Sequence, residues 1–179
     1  MRIVAGNYGG RSLKTLSGRA VTRPTTDKVR GAIFNMLGGF FDGGRVLDLY
    51  AGSGALGIEA VSRGADFAVL VDKDRGAQGV IQENLTMTRE MEKFQLMKLP
   101  ADKALNQLTE PFALVFLDPP YAKEQIVAVI LQLTEKKMLS AGGKIICETA
   151  KEVDLPEKIG HLALQKEKIY GITKVTIYG

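Results

Sequence analysis

The chain has 179 residues, of which 45% are hydrophobic and 25% charged, and its formal net charge is +4. This length suits one globular domain and leaves no room for a separate substrate domain, while the apolar content argues against general disorder. The single cysteine, Cys147, and the single histidine, His161, argue against an intrachain disulfide and a structural zinc site. We therefore expect no metal. No run resembles a signal peptide or a membrane span, so the expected location is the cytoplasm.

The positive charge is concentrated at the beginning of the chain. Residues 1–30 contain seven basic residues and one acidic residue, a net +6, and the remainder sums to −2. A basic, glycine-rich segment is typical of an arm that binds phosphate groups of a nucleic acid, and equally of a solvated surface flap. On the first interpretation the candidate RNA contacts are Arg2, Arg11, Lys14, Arg23 and Arg30.

The first predicted elements are a hairpin and a helix. Residues 2–5 and 13–16 read as two short strands around a Gly-Gly turn. Helix-start residues at 24–27 then precede apolar residues at helical spacing, and Gly38 ends the run. We interpret residues 1–42 as a basic extension that is not an independent domain, and residues 43–179 as the domain that carries the chemistry.

The rest of the chain predicts an α/β fold. Apolar runs at 46–50, 67–71, 94–97, 112–117 and 144–147 alternate with helix-compatible segments near 55–63, 75–88, 102–108 and 123–137. This alternation is typical of a parallel sheet that is covered on both faces. Residues 162–169 and 172–178 have no helix between them, so they predict an antiparallel last pair. The expected sheet therefore has seven strands and is mostly parallel.

A glycine-rich turn follows the first of these strands. Gly52, Gly54 and Gly57 match the G-x-G-x-x-G pattern, which indicates either a ligand that approaches bare backbone or simply a tight strand-to-helix turn. Asp48 lies four residues before Gly52, where it would repel a pyrophosphate and attract a cationic amino-acid or sulfonium group. The sequence therefore favours S-adenosylmethionine over NAD. Ala51, Gly52 and Gly54 are the residues of the turn that we expect to bind it.

Two further acidic residues follow the next two strands. Asp72 lies 24 residues after Asp48, near the spacing expected for an acid that binds ribose hydroxyls, and Lys73 follows it. Asp74 suits a helix N-cap better. Asp102 follows the third strand and could accept a hydrogen bond from an adenine amino group, or could be only a cap.

The fourth strand ends in Asp118, Pro119, Pro120 and Tyr121. Two prolines stiffen the chain and fix the direction of the Pro119 carbonyl, while Asp118 adds a second acceptor. Two acceptors that grip an exocyclic amine, with Tyr121 stacked on the base, suit methyl transfer to a nucleobase. The alternative is a stiff turn with Tyr121 packed in the core.

The sequence resembles the bacterial 16S rRNA guanine-N2 methyltransferases along nearly its whole length. The resemblance rests on RIVAG at 2–6, GRSL at 10–13, RPTTDKVR at 23–30, LDLYAGSG at 47–54 and DPPY at 118–121. It implies a Rossmann-like methyltransferase fold, S-adenosylmethionine as donor, residues 118–121 as the target-base site, and RNA contacts from Arg11 and Arg23. Family members often have Glu at the ribose position, where this chain has the shorter Asp72.

Two other functions fit part of the pattern. An adenine-N6 methyltransferase of DNA or RNA shares the Asp-Pro-Pro-Tyr motif, although the DNA enzymes normally carry an added recognition domain. An inactive RNA-binding module could keep the same fold. The resemblance implies 16S rRNA or the assembling small subunit as partner. The sequence has no run as long as a membrane span, no extended apolar patch and no heptad pattern, so we expect no membrane association and a monomer.

Overall fold

The computed structural model describes residues 1–16, 25–120 and 122–179. Its helices are α1 Asp27–Met36, α2 Ala55–Ser62, α3 Arg75–Thr88, α4 Ala101–Gln107 and α5 Ala122–Glu135, with a short 3-10 turn at Met91–Lys93. Its strands are β1 Arg45–Asp48, β2 Phe67–Val71, β3 Phe94–Met97, β4 Phe112–Leu117, β5 Leu139–Ala150, β6 Lys158–Ile159, β7 Leu162–Tyr170 and β8 Thr173–Tyr178. Within these ranges, no helix is long and apolar enough to cross a membrane.

The strands form one sheet in the order β3-β2-β1-β4-β5-β8-β7-β6. Strands β1 to β5 pair in parallel, and β8 pairs antiparallel with both β5 and β7. The expected seven strands and their antiparallel last pair are confirmed. The two-residue strand β6 adds an eighth at the edge beside β7, and it is too short to leave an apolar run in the sequence.

Both faces of the parallel strands are buried, as continuous apolar runs predict. One core cluster packs the N-terminal segment, α1, α2 and α3 against the sheet, and the other packs α4 and α5 against the opposite face. Neighbouring residues of β1 alternate between them, Val46 in the first and Leu47 in the second. The N-terminal residues Ile3, Tyr8 and Leu13 are buried in the first cluster.

The predicted N-terminal hairpin is reduced to one antiparallel bridge, between Arg2 and Ser12. The second limb is therefore residues 11–13, and the expected strand at 13–16 is wrong. The chain between the limbs winds against α2, because Gly6 has φ 89° and its Cα lies so close to the Ser62 carbonyl that a Cβ would clash. A Ser62 hydroxyl then accepts a hydrogen bond from the Tyr8 N–H at 2.9 Å.

A buried carboxylate fastens this segment to the fold. Glu59 in α2 accepts hydrogen bonds from the Val4 and Ala5 N–H groups and pairs with the guanidinium groups of Arg30 and Arg63. Arg30 also donates to Asp27 and to the Arg2 carbonyl, and its side chain is fully buried. The prediction that Arg30 contacts RNA is therefore wrong, because its charge is used inside the protein. The division into residues 1–42 and 43–179 stays a prediction.

Candidate active site

A cavity of about 800 Å³ opens at the carboxyl ends of the parallel strands. The residues that follow β1, β2 and β4 line it together with the beginning of α4, as expected for an open parallel sheet. Three residues of the N-terminal segment complete its wall, namely Met1, Leu16 and Thr25. The cavity thus brings together the glycine turn, the predicted acidic residues and part of the basic extension.

The glycine turn is held by hydrogen bonds from its own neighbourhood. Gly52 has φ 60°, a conformation that favours glycine, and its N–H donates to Asp72 Oδ2 at 2.9 Å. Gly52 and Ala51 line the cavity. Gly54, predicted to bind the cofactor, does not line it. It is the N-cap residue of α2 with φ 83°, and a Cβ there would meet Leu70 at 2.9 Å, so this glycine serves the turn and its packing.

Asp48 lies deep in the cavity wall. Only 2% of the residue is exposed, and its Oδ2 accepts a hydrogen bond from the Gly57 N–H at 3.0 Å. Burial raises the pKa of Asp48 to about 7, against the effect of that hydrogen bond, and the carboxyl groups of Asp72 and Glu148 act in the same direction as burial. A cation bound beside Asp48 would favour its charged form.

The acidic residues after β2 and β3 line the same cavity. Asp72 accepts hydrogen bonds from the N–H groups of Gly52 and Asp74, both at 2.9 Å, and Lys73 is exposed beside it. Asp74 caps α3 by accepting from the Ala77 N–H, which confirms that interpretation. Asp102 lies in the first turn of α4, but Pro100 holds the N-cap position, so Asp102 does not serve as the cap.

The segment after β4 also reaches the cavity. Asp118 and Pro120 line it, and Pro119 between them is buried. Tyr121 lies outside the described residues. Asp118 therefore shares one cavity with the glycine turn, although the two are at least 61 positions apart in sequence.

Glu148 provides a second carboxyl group beside Asp118, and it is not among the residues predicted from the sequence. Glu148 is 8% exposed and accepts the Thr25 hydroxyl at 2.8 and 2.7 Å from its two oxygens. Desolvation of the carboxyl group raises the pKa of Asp118 to about 8, although the residue as a whole is exposed at the cavity, and the neighbouring carboxyl group of Glu148 adds to the rise. Burial also raises the pKa of Glu148, while the hydrogen bonds from Thr25 and Asp118 lower it. A lone acidic residue after the apolar run at 144–147 was the available signal.

The predicted RNA contacts differ in their surroundings. Arg2, Arg11 and Lys14 are exposed. Arg11 donates to the Met87 and Thr88 carbonyls and lies 5.3 Å from the Tyr8 ring centroid, whereas Lys14 pairs with Glu83 at 2.9 Å. Arg23 lies outside the described residues. In the part of the chain that the structure describes, no group of three His, Cys, Asp or Glu side chains could hold a metal ion.

Known proteins share this chain's sequence and fold. Residues 1–179 match the family described as "Conserved hypothetical protein 95". The chain is 44% identical over 181 residues to the "Putative rRNA methyltransferase YlbH" of Bacillus subtilis, covering 99% of this chain and 98% of that protein. It is 33% identical to the "Ribosomal RNA small subunit methyltransferase D" of Escherichia coli, covering 99% and 89%. A solved structure titled "Putative methyltransferase yhhF from Escherichia coli" is 31% identical, with a TM-score of 0.85 and coverage of 99% and 96%.

Proposed function

The chain belongs to the conserved hypothetical protein 95 family, with the small-subunit ribosomal RNA methyltransferases D, and on that premise we propose that it methylates 16S rRNA. More specifically, we propose that it transfers a methyl group from S-adenosylmethionine to the exocyclic N2 amine of one guanine. The observation that carries the proposal is the single cavity that Asp118 shares with Asp48 and the glycine turn.

The polar groups that line the cavity suit S-adenosylmethionine. Carboxyl groups follow three successive strands, and the cavity has ample volume for a nucleoside with an amino-acid tail. Asp48 would hold the cationic part, Asp72 with the turn at Ala51 and Gly52 the ribose, and Asp102 the adenine amine, with Lys73 at the rim. When bound, S-adenosylmethionine supplies an electrophilic methyl group.

The residues after β4 provide the acceptor side. An exocyclic amine is a weak nucleophile because its lone pair is delocalised into the ring, so it must be oriented. The Asp118 carboxyl and the Pro119 carbonyl would accept its two N–H bonds, and the proline pair keeps both acceptors stiff. Pro120 lines the cavity, and Tyr121 would stack on the extruded base. No protein nucleophile is required.

The basic extension would hold the RNA. Exposed Arg2, Arg11 and Lys14 lie in the segment whose Leu16 and Thr25 line the cavity, so phosphate contacts there would be continuous with the base site. A folded RNA or ribonucleoprotein particle can supply specificity through its shape, which suits a chain of this length.

Nucleoside mass mapping tests the proposal. Purified protein is incubated with deuterium-labelled S-adenosylmethionine and either naked 16S rRNA or small subunits from cells that lack the protein, and the digested nucleosides are separated. We expect label in N2-methylguanosine at one position. Label in N6-methyladenosine would identify an adenine enzyme instead, and a protein that shows no heat of binding with S-adenosylmethionine in isothermal titration would be an RNA-binding module.

A further inference from the structure

Thr25, Glu148 and Asp118 lie next to one another at the proposed base site. The Thr25 hydroxyl, in the segment before α1, donates to both oxygens of Glu148 on β5. Glu148 lies beside Asp118, because Leu117 pairs with Cys147 and the two acids are the next residues along these parallel strands. The two carboxyl groups are close enough for each to shift the pKa of the other.

Two neighbouring carboxyl groups are costly to ionise together, which favours a state in which the pair shares one proton. The charged groups that face Asp118 are Glu148 and, from the end of β1, Asp48. Glu148 faces Thr25 and Asp118. Among the described residues, neither Asp118 nor Glu148 forms an ion pair with a basic side chain. Within the described ranges, no basic side chain therefore supplies a positive charge that could take the place of the shared proton.

The Thr25 hydroxyl decides which acid keeps that proton. A hydrogen bond donated to a carboxylate favours its charged form, and Glu148 receives one whereas Asp118 receives none from Thr25. The proton then stays on Asp118, whose O–H donates to Glu148. The other oxygen of Asp118 is left as a pure acceptor with a fixed orientation, as a bond to an amine N–H requires.

We propose that Glu148 is a positioning residue for methyl transfer, which orients Asp118 by accepting its carboxyl proton, and that Thr25 holds Glu148 in place for this task. The inference rests on the proposed function, because it takes Asp118 as the acceptor of the target amine. It also connects Thr25, in the segment before α1, to the proposed base site.

The pH dependence of kcat tests the proposal through Glu148→Gln. The amide can still accept from Thr25, but it donates to Asp118, which becomes ionised without sharing a proton. In the wild type, kcat should fall at alkaline pH, where the pair loses its proton and the two carboxylates repel each other. The variant should lack this fall, so the ratio of its kcat to that of the wild type should rise up to about tenfold per pH unit there. Effects of pH on guanine cancel in this ratio.

Matched variants separate positioning from mere structure. Glu152→Gln makes the same charge change at an exposed position, and its kcat ratio should stay constant with pH. Thr25→Val should lower kcat with little change in KM, and Thr25→Ser should restore it. A kcat ratio for Glu148→Gln that is constant with pH would overturn the proposal.

A titration of Asp118 that does not depend on catalysis tests the carboxyl pair directly. It remains informative if a variant is inactive or if the proposed function is wrong. Carboxyl carbon NMR of wild-type protein labelled at aspartate should show an Asp118 titration well above the ordinary range, and Thr25→Val should lower that pKa as the proton moves toward Glu148. An ordinary Asp118 titration in the wild type would contradict the shared proton. Label in another nucleoside, together with an elevated Asp118 pKa, would defeat the guanine assignment while leaving the carboxyl pair intact.

Discussion

The two sides of the cavity are built differently. The donor side consists of the glycine turn with Asp48 and Asp72, whose carboxylates accept N–H bonds from residues nine and twenty positions away. The acceptor side joins Asp118 to Glu148, and Glu148 to a threonine 123 positions earlier. A site made from neighbouring segments of the chain can be recognised from local sequence patterns, whereas a site assembled from distant segments depends on the whole fold.

The largest effect should follow from removing the acceptor. Asp118→Ala should lower kcat by about a thousandfold, in the range found when one preorganised polar group of an active site is lost. Affinity for S-adenosylmethionine should stay within a few-fold, because the donor side is untouched. Methylation assays and isothermal titration measure the two quantities, with Asp42→Ala at an exposed position as control. Near-normal methylation by Asp118→Ala would remove Asp118 from the base site.

The next prediction compares the buried network that attaches the N-terminal segment with an exposed ion pair of the same segment. Glu59→Gln should lower the free energy of unfolding by about 3–5 kcal/mol, because it leaves two buried guanidinium groups without their carboxylate. Glu83→Gln breaks only the exposed pair with Lys14 and should cost at most about 1 kcal/mol. Urea unfolding measures both. Equal losses would show that the segment is not held by the buried network.

On the donor side, the affinity for S-adenosylmethionine should depend on pH through Asp48. Below the Asp48 pKa of about 7 the carboxyl group is protonated and loses its attraction for a cation, so the Kd for S-adenosylmethionine should rise as the pH falls from 8 to 6. The rise should approach about tenfold per unit at its steepest. Asp48→Asn should bind weakly with a Kd that hardly changes over this window, as isothermal titration at each pH would show. A parallel slope in both proteins would exclude Asp48 as its cause.

The basic extension should give the smallest effect. Arg11→Ala combined with Arg23→Ala should weaken RNA association and reduce the slope of log affinity against log salt by about 1 to 2, while cofactor affinity stays unchanged. Filter binding at several salt concentrations measures this slope. Lys137→Ala combined with Lys158→Ala removes the same charge at exposed positions elsewhere and serves as control. An unaltered slope would argue for a solvated flap.

Features built from local segments could be predicted from the sequence, whereas features that depend on distant contacts could not. Strands β2, β3 and β4 were predicted with their observed bounds, because buried parallel strands are unbroken apolar runs. Glu148 was missed because its importance arises from the β4–β5 register, which no local pattern encodes. Arg30 was misassigned for a related reason. Its buried partner Glu59 lies on another helix, and a basic residue looks the same in sequence whether it meets RNA or a carboxylate.

Leu16 and Thr25 both lie on the wall of the same cavity. The same segment is fastened to α2, where Glu59 accepts hydrogen bonds from the Val4 and Ala5 N–H groups. The buried network that stabilises the fold therefore also supports one wall of the cavity. Variants that loosen it, such as Glu59→Gln, should lose cofactor affinity together with stability.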